Sequence, residues 1–174
     1  MAKFRMFVED KYGPEFFEKL IDRIKEVGLI PEDIIVKPSK PPADCNPKID
    51  RAIKSALSFG YDRVILVIDG DGNPEEKQKR AESHIPPEFK DRVDVIVFEY
   101  EAEEWICESL GIRYSSYTKP SKALNDWLRN KEGKKYHKRD LPKFVSKLDL
   151  ALLNRNDRTF KNLIKLLNIK TKRS

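Results

Sequence analysis

Hydrophobic positions in this chain fall into short runs separated by longer segments of helical spacing. Positions 3–8 alternate Phe4, Met6 and Val8 with Arg5 and Phe7, which predicts a first strand ending at Glu9-Asp10. After the loop Lys11-Tyr12-Gly13, Pro14 takes a first helical position, and Phe16, Phe17, Leu20, Ile21, Ile24 and Val27 trace an apolar helical stripe halted by Gly28. A second, short strand is predicted at 33–36. The following stretch, 37–42, is predicted as loop because Pro38, Pro41 and Pro42 cannot donate to a ladder. Asn46 and Pro47 read as the cap and first turn of a helix that carries Ile49, Ala52, Ile53, Ala56 and Leu57 on one side and stops at Gly60. The unbroken apolar run at 64–68, mostly β-branched, marks a strand buried on both faces of a parallel sheet. A polar helix from Asn73-Pro74 to Ser83, a break at Pro86-Pro87, a fourth strand at 93–98 and a helix through Trp105, Ile106 and Leu110 to Gly111 complete the alternation.

The expected fold is therefore α/β: a mostly parallel, Rossmann-like four-stranded sheet with right-handed crossovers, flanked by helices. Beyond Gly111 no strand pattern recurs, and 123–128, 141–153 and 160–167 are predicted helical. Residues 1–111 form the expected core unit, and 112–174 a basic helical extension packed on it. A length of 174 residues suits this arrangement and leaves no room for two large domains.

Charge divides at the same boundary. Residues 1–111 carry 17 Lys and Arg against 24 Asp and Glu, whereas 112–174 carry 18 against 5, so the net charge of +6 conceals an acidic part joined to a basic one. Carboxylates for a metal and cations for phosphates are what an enzyme acting on a polyanion requires. Lys119, Lys122, Arg129, Lys134, Lys135 and Arg139 are the candidate nucleic-acid contacts; a solvated, lysine-rich helical face is the competing reading. The start of the chain leads straight into a strand pattern, and no apolar run approaches the ~18 residues of a membrane span. An intracellular, cytoplasmic protein without membrane association is expected, and the abundance of Lys and Glu points to a thermophilic source. Cys45 and Cys107 form no CxxC pair, and His84 and His137 are the only histidines, which argues against a disulfide framework or a His-rich metal site.

Three of the predicted strands end in acid: Glu9 after the first, Asp69 and Asp71 after the third, and Glu101, Glu103 or Glu104 after the fourth. Parallel strands send these ends to one edge, where converging carboxylates raise one another's pKa and a divalent cation relieves the repulsion. Asp69, Asp71, Glu101 and Glu103 are the candidate metal ligands; hard oxygen donors on a glycine turn suit Mg²⁺, with Mn²⁺ as a substitute. Such an ion can polarise a phosphoryl oxygen, activate water and neutralise a leaving oxygen. Asp-Gly is also an ordinary turn signal.

Glu9 at the end of the first strand, in Phe7-Val8-Glu9-Asp10, and Asp-x-Asp at the end of a later one, in Val67-Ile68-Asp69-Gly70-Asp71, resemble the two signature motifs of the Toprim domain. That domain occurs in topoisomerases, primases, small ribonucleases and the overcoming-lysogenization-defect nucleases. Glu101-Ala102-Glu103-Glu104-Trp105, and later Tyr136-His137-Lys138, Leu148-Asp149-Leu150 and Arg158-Thr159-Phe160, are similar to elements of compact stand-alone proteins of the last group. The resemblance implies a Toprim-like fold, Mg²⁺ on Asp69 and Asp71, Glu9 as general acid or base, and phosphodiester cleavage in DNA or RNA. It also implies a role for Lys138 in stabilising phosphoryl charge, although an exposed structural lysine is the simpler reading of that residue. Asp10 stands where the family has glycine, which restricts the turn or adds a ligand.

Other assignments fit less well. A non-catalytic Toprim module that binds nucleic acid and, as the resemblance implies, works with a separate ATPase subunit is the main alternative. Asp69 and Asp71 also match the nucleophile and proton donor of haloacid dehalogenase phosphatases, but there the motif follows the first strand, and Asn73 replaces the usual threonine. An EF-hand fails at its twelfth position, Arg80, and no Walker phosphate loop is present. Trp105 is expected in the core; Trp127, among lysines, either packs the cap or stacks on a base. Tyr12, Tyr100, Tyr114 and Tyr136 supply hydroxyls without a context that nominates a covalent nucleophile.

Overall fold

A computed structural model describes residues 1–41 and 48–170. Strands β1 (Lys3–Val8), β2 (Ile35–Ser39), β3 (Arg63–Ile68) and β4 (Val93–Val97) form one sheet of order β2-β1-β3-β4. Every neighbouring pair is parallel, with Met6 opposite both Pro38 and Ile65, and Leu66 opposite Val95. Helices α1 (Gly13–Glu26), α2 (Lys48–Ser58) and α3 (Pro74–Ser83) connect successive strands, as the alternation predicts. The chain winds outward to β2 and then returns across β1 to β3, so the topological switch lies between β1 and β3, where α/β sheets open a crevice at their carboxyl edge. Glu9 and Asp69 follow directly on these two strands.

The two faces of the sheet have separate cores, because side chains alternate along each strand. Val64, Leu66 and Ile68 pack with Phe7 against Ile49, Ile53 and Leu57 of α2. Ile65 and Val67 join Phe4, Met6 and Val8 on the other face, under α1 and the whole C-terminal part. That part comprises α4 (Glu103–Leu110), α5 (Pro120–Glu132), a 3₁₀ segment (Lys138–Lys147), α6 (Leu150–Asn156) and α7 (Arg158–Leu167). Trp105 lies in the core as expected: it is fully buried, with Phe98, Phe160, Phe17 and Phe16 around it. Arg23 of α1 donates to the carbonyls of Val145 and Leu148, 2.6 Å each, which ties the extension to the sheet-covering helix. No helix among the described residues is long and apolar enough to cross a membrane.

Two expectations about local structure need correction. Lys37, Pro38 and Ser39 belong to β2, not to a loop. Ile35 N donates to Ala2 O, so alternation turns the nitrogen of Pro38 to the outer side of an edge strand, where no ladder donor is needed. The helix expected over 141–153 is divided: Pro142 lies within the 3₁₀ segment, the backbone is extended at Leu148, and Asp149 caps a new helix by accepting from Leu152 N. The expected cap at Asn46-Pro47 and Cys45 lie outside the described residues.

Candidate metal centre

The turn after β3 is shaped by its contact with the exit of β4. A Cβ on Gly70 would lie 2.0 Å from Phe98 O and 2.7 Å from Glu99 O, so only glycine allows the two segments to meet. Asp71 N and Gly72 N donate to Tyr100 O and Glu99 O at 3.2 and 2.9 Å. Asp71 itself adopts φ +50°, a left-handed conformation that aspartate tolerates. These bonds fix the Asp69 turn against the acidic segment 99–104.

Around Asp69 gather Glu9, Glu101, Glu103 and Lys138. Burial raises the pKa of Asp69 from 3.8 to about 7; Lys138 opposes the rise, and Glu103, Glu9 and Glu101 add to it. Glu103, in the first turn of α4, has no exposed surface. Its Oε1 accepts from Lys138 Nζ at 2.6 Å and from Tyr136 OH at 2.9 Å. Its Oε2 is buried with no hydrogen-bond partner. Burial drives the carboxyl of Glu103 above the usual range against the pull of Lys138. Glu101 Oε1 accepts from Ser121 N, 2.7 Å, in the first turn of α5, a position that favours anions. Asp10 accepts from Tyr12 N at 2.8 Å and ion-pairs with Lys138 Nζ at 2.9 Å, while Glu101 Oε2 is 4.0 Å from the same nitrogen.

Lys138 is therefore half-buried, ion-paired with Glu103 and Asp10 and with Glu101 at 4.0 Å. Burial opposes its charge, yet Glu103 and Asp10 hold the ammonium above the ordinary lysine range. Asp71, by contrast, is half-exposed and paired with Lys77 of α3 at 3.5 Å. The donors here are all carboxylate oxygens, the type a hard divalent cation takes, and the orphaned Oε2 of Glu103 carries a desolvation cost that a cation would remove, but among the described residues it is Glu104, Glu108 and Asp157, not this group, that bring three ligand oxygens within 4.8 Å of one another.

The six basic candidates, Lys119, Lys122, Arg129, Lys134, Lys135 and Arg139, are all exposed. Lys119 and Lys122 flank the Ser121 amide that holds Glu101. Trp127 is partly buried against the core, with Lys131 Nζ 5.4 Å from its ring centroid. Neither the link from Tyr136 to Glu103 nor a second acidic group, Glu104, Glu108 and Asp157, was legible in the sequence. In that group one oxygen from each residue lies within 4.8 Å of the others. Glu104 and Glu108 are four apart on α4, the one local signal, but Asp157 arrives from the distant N-terminus of α7, where it caps Phe160 N at 2.7 Å and accepts from Trp105 Nε1 at 3.1 Å. Burial pushes Glu104 and Glu108 each to about 8, and a hydrogen bond with Asp157 adds to the rise at Glu108.

These raised values dictate a pH dependence. Asp69, Glu104 and Glu108 keep protons in the folded chain at a pH where the unfolded chain, with ordinary values of 3.8 and 4.5, has released them. Their contribution to stability is complete below those ordinary values and is lost as pH rises through about 7 and 8. In EDTA, Tm is expected to fall by about 5 °C or more between about pH 6 and pH 9, with Mg²⁺ restoring part of the loss at the upper end. A Tm that rises over this interval would contradict the assignment.

No family model, curated protein or solved structure matches the chain.

Proposed function

We propose that the protein is a Mg²⁺-dependent nucleic-acid-processing enzyme of Toprim type that cleaves phosphodiester bonds. The observation that carries this reading is the convergence of Glu9, Asp69, Glu101 and Glu103 at the carboxyl edge of a parallel sheet, with one buried oxygen of Glu103 left without a partner. Asp69, Glu101 and Glu103 would hold the cation, with Asp71 at the margin. The bound ion would supply Lewis-acid activation of a phosphoryl oxygen and of water.

The chain's own groups account for the remaining requirements. Glu9 is partly buried beside Asp69, a location suited to moving a proton in a site where carboxyl pKa values are raised. Lys138 keeps its charge and lies within the same group of carboxylates, available to a developing phosphoryl anion. Lys119 and Lys122, exposed at the start of α5 beside Glu101, would hold the phosphates of a strand entering the site.

The test is incubation of the purified protein with labelled single- and double-stranded DNA and RNA in Mg²⁺, Mn²⁺ or EDTA, beside an Asp69→Ala/Asp71→Ala variant. Cleavage that requires metal and disappears in the variant is the expected result. Binding without turnover under every condition would instead favour a non-catalytic module that depends on a partner such as an ATPase.

A further inference from the structure

Tyr136 and Lys138 both contact Oε1 of Glu103, at 2.9 and 2.6 Å, but they are chemically unlike. The phenol is a neutral donor. It orients the carboxylate without cancelling its charge, and its own ionisation is suppressed by burial and by Glu103. The ammonium is a full positive charge, and it also pairs with Asp10 and lies 4.0 Å from Glu101. It thus already neutralises the carboxylates that a cation would use, in a half-buried place where solvent screens poorly.

The two side chains are anchored separately. Tyr136 N donates to Asn125 Oδ1 of α5 at 2.9 Å, whereas Lys138 opens the 3₁₀ segment, whose start is fixed by reciprocal bonds between His137 and Asp140. Asp10 gives the ammonium a second partner besides Glu103, and Tyr12 N in turn holds Asp10.

We propose that Tyr136 and Lys138 set the cation affinity of the centre in opposite directions: Tyr136 positions Glu103 for the ion, and Lys138 competes with the ion for the same carboxylates. This rests on the metal-binding reading above. It adds that metal-free protein carries its own counter-cation, so that occupancy by a divalent ion is tuned by a lysine and not by the number of acids alone.

The experiment is titration of EDTA-stripped, full-length protein with Mn²⁺, followed by calorimetry and by the electron paramagnetic resonance of free Mn²⁺. Lys138→Met is expected to bind Mn²⁺ about tenfold more tightly than the parent, and Tyr136→Phe about tenfold more weakly. General damage to the site would weaken binding in both variants, so tighter binding by Lys138→Met cannot arise from a merely structural role. Should Lys138→Met fail to fold, Lys138→Gln, which retains a donor without the charge, is expected to shift affinity in the same direction. Unchanged or weaker binding by the folded Lys138 variant, or unchanged or tighter binding by Tyr136→Phe, overturns the proposal while the metal reading stands. Absence of Mn²⁺ binding in every protein overturns both.

Discussion

Asp69→Asn is expected to lower Mg²⁺-dependent cleavage by about 1000-fold or more, and Asp71→Asn by about tenfold, in single-turnover measurements at saturating nucleic acid. The ranking follows from where the two carboxylates lie. Asp69 is crowded by Glu9, Glu101 and Glu103, and burial lifts its pKa to about 7. Asp71 lies two residues on, half-exposed, with Lys77 as its partner. A cation binding in the group would therefore lose a central ligand in the first variant and a marginal one in the second.

Stability is expected to move the other way. Without metal, the Asp69 carboxylate adds repulsion to its acidic neighbours, and asparagine removes it while keeping nearly the same shape. In EDTA near pH 8, Asp69→Asn should melt above the parent protein, whereas the parent should gain more from added Mg²⁺. A variant that is both inactive and less stable in EDTA would point to misfolding of the turn, and equal activity of the two asparagine variants would remove Asp69 from the centre of the site.

Trp105→Ala is expected to cost about 3–5 kcal/mol, measured as a fall in the urea midpoint at unchanged slope. Trp105 is fully buried, with ring centroids of Phe98 and Phe160 at 4.7 and 5.3 Å. The lost volume faces both the sheet and α7, so little can collapse into the cavity. Its indole also donates to Asp157, the cap of α7, at 3.1 Å. Since Trp105 follows Glu103 and Glu104 on α4, the same substitution should loosen the candidate site and weaken Mn²⁺ binding. Trp127→Ala provides the contrast: that ring is only partly buried, beside Lys131, and a loss of about 1 kcal/mol is expected. Equal losses at the two tryptophans would contradict the packing described.

Much of the fold was legible because its signals are local. The unbroken run at 64–68 has no solvent-facing alternation, and a strand of that kind must be covered on both faces. The helical stripe of Phe16, Phe17, Leu20, Ile21 and Ile24 likewise required a partner, which the sheet supplies. Pro38 defeated the local reading because the cost of its missing N–H depends on whether the strand lies at an edge, and strand order is a tertiary property. The C-terminal helices were divided by Pro142 and by the cap at Asp149, signals that the apolar periodicity masked.

For the site, the sequence by itself determined that Glu9, Asp69 and an acidic segment would reach one edge, since strands alternating with helices run parallel and share their carboxyl ends. Tertiary structure alone decided which acids meet. Rotamer, burial and distance turn Asp71 toward Lys77 and bring Lys138, 35 positions from Glu103, onto that carboxylate at 2.6 Å. It also decided that Glu103 would keep one oxygen buried and unpartnered, and that Tyr136 would hold the other. The physical reason is that periodicity records which face of an element is apolar, whereas the pairing of charges depends on how separate elements pack, and no spacing along the chain encodes it.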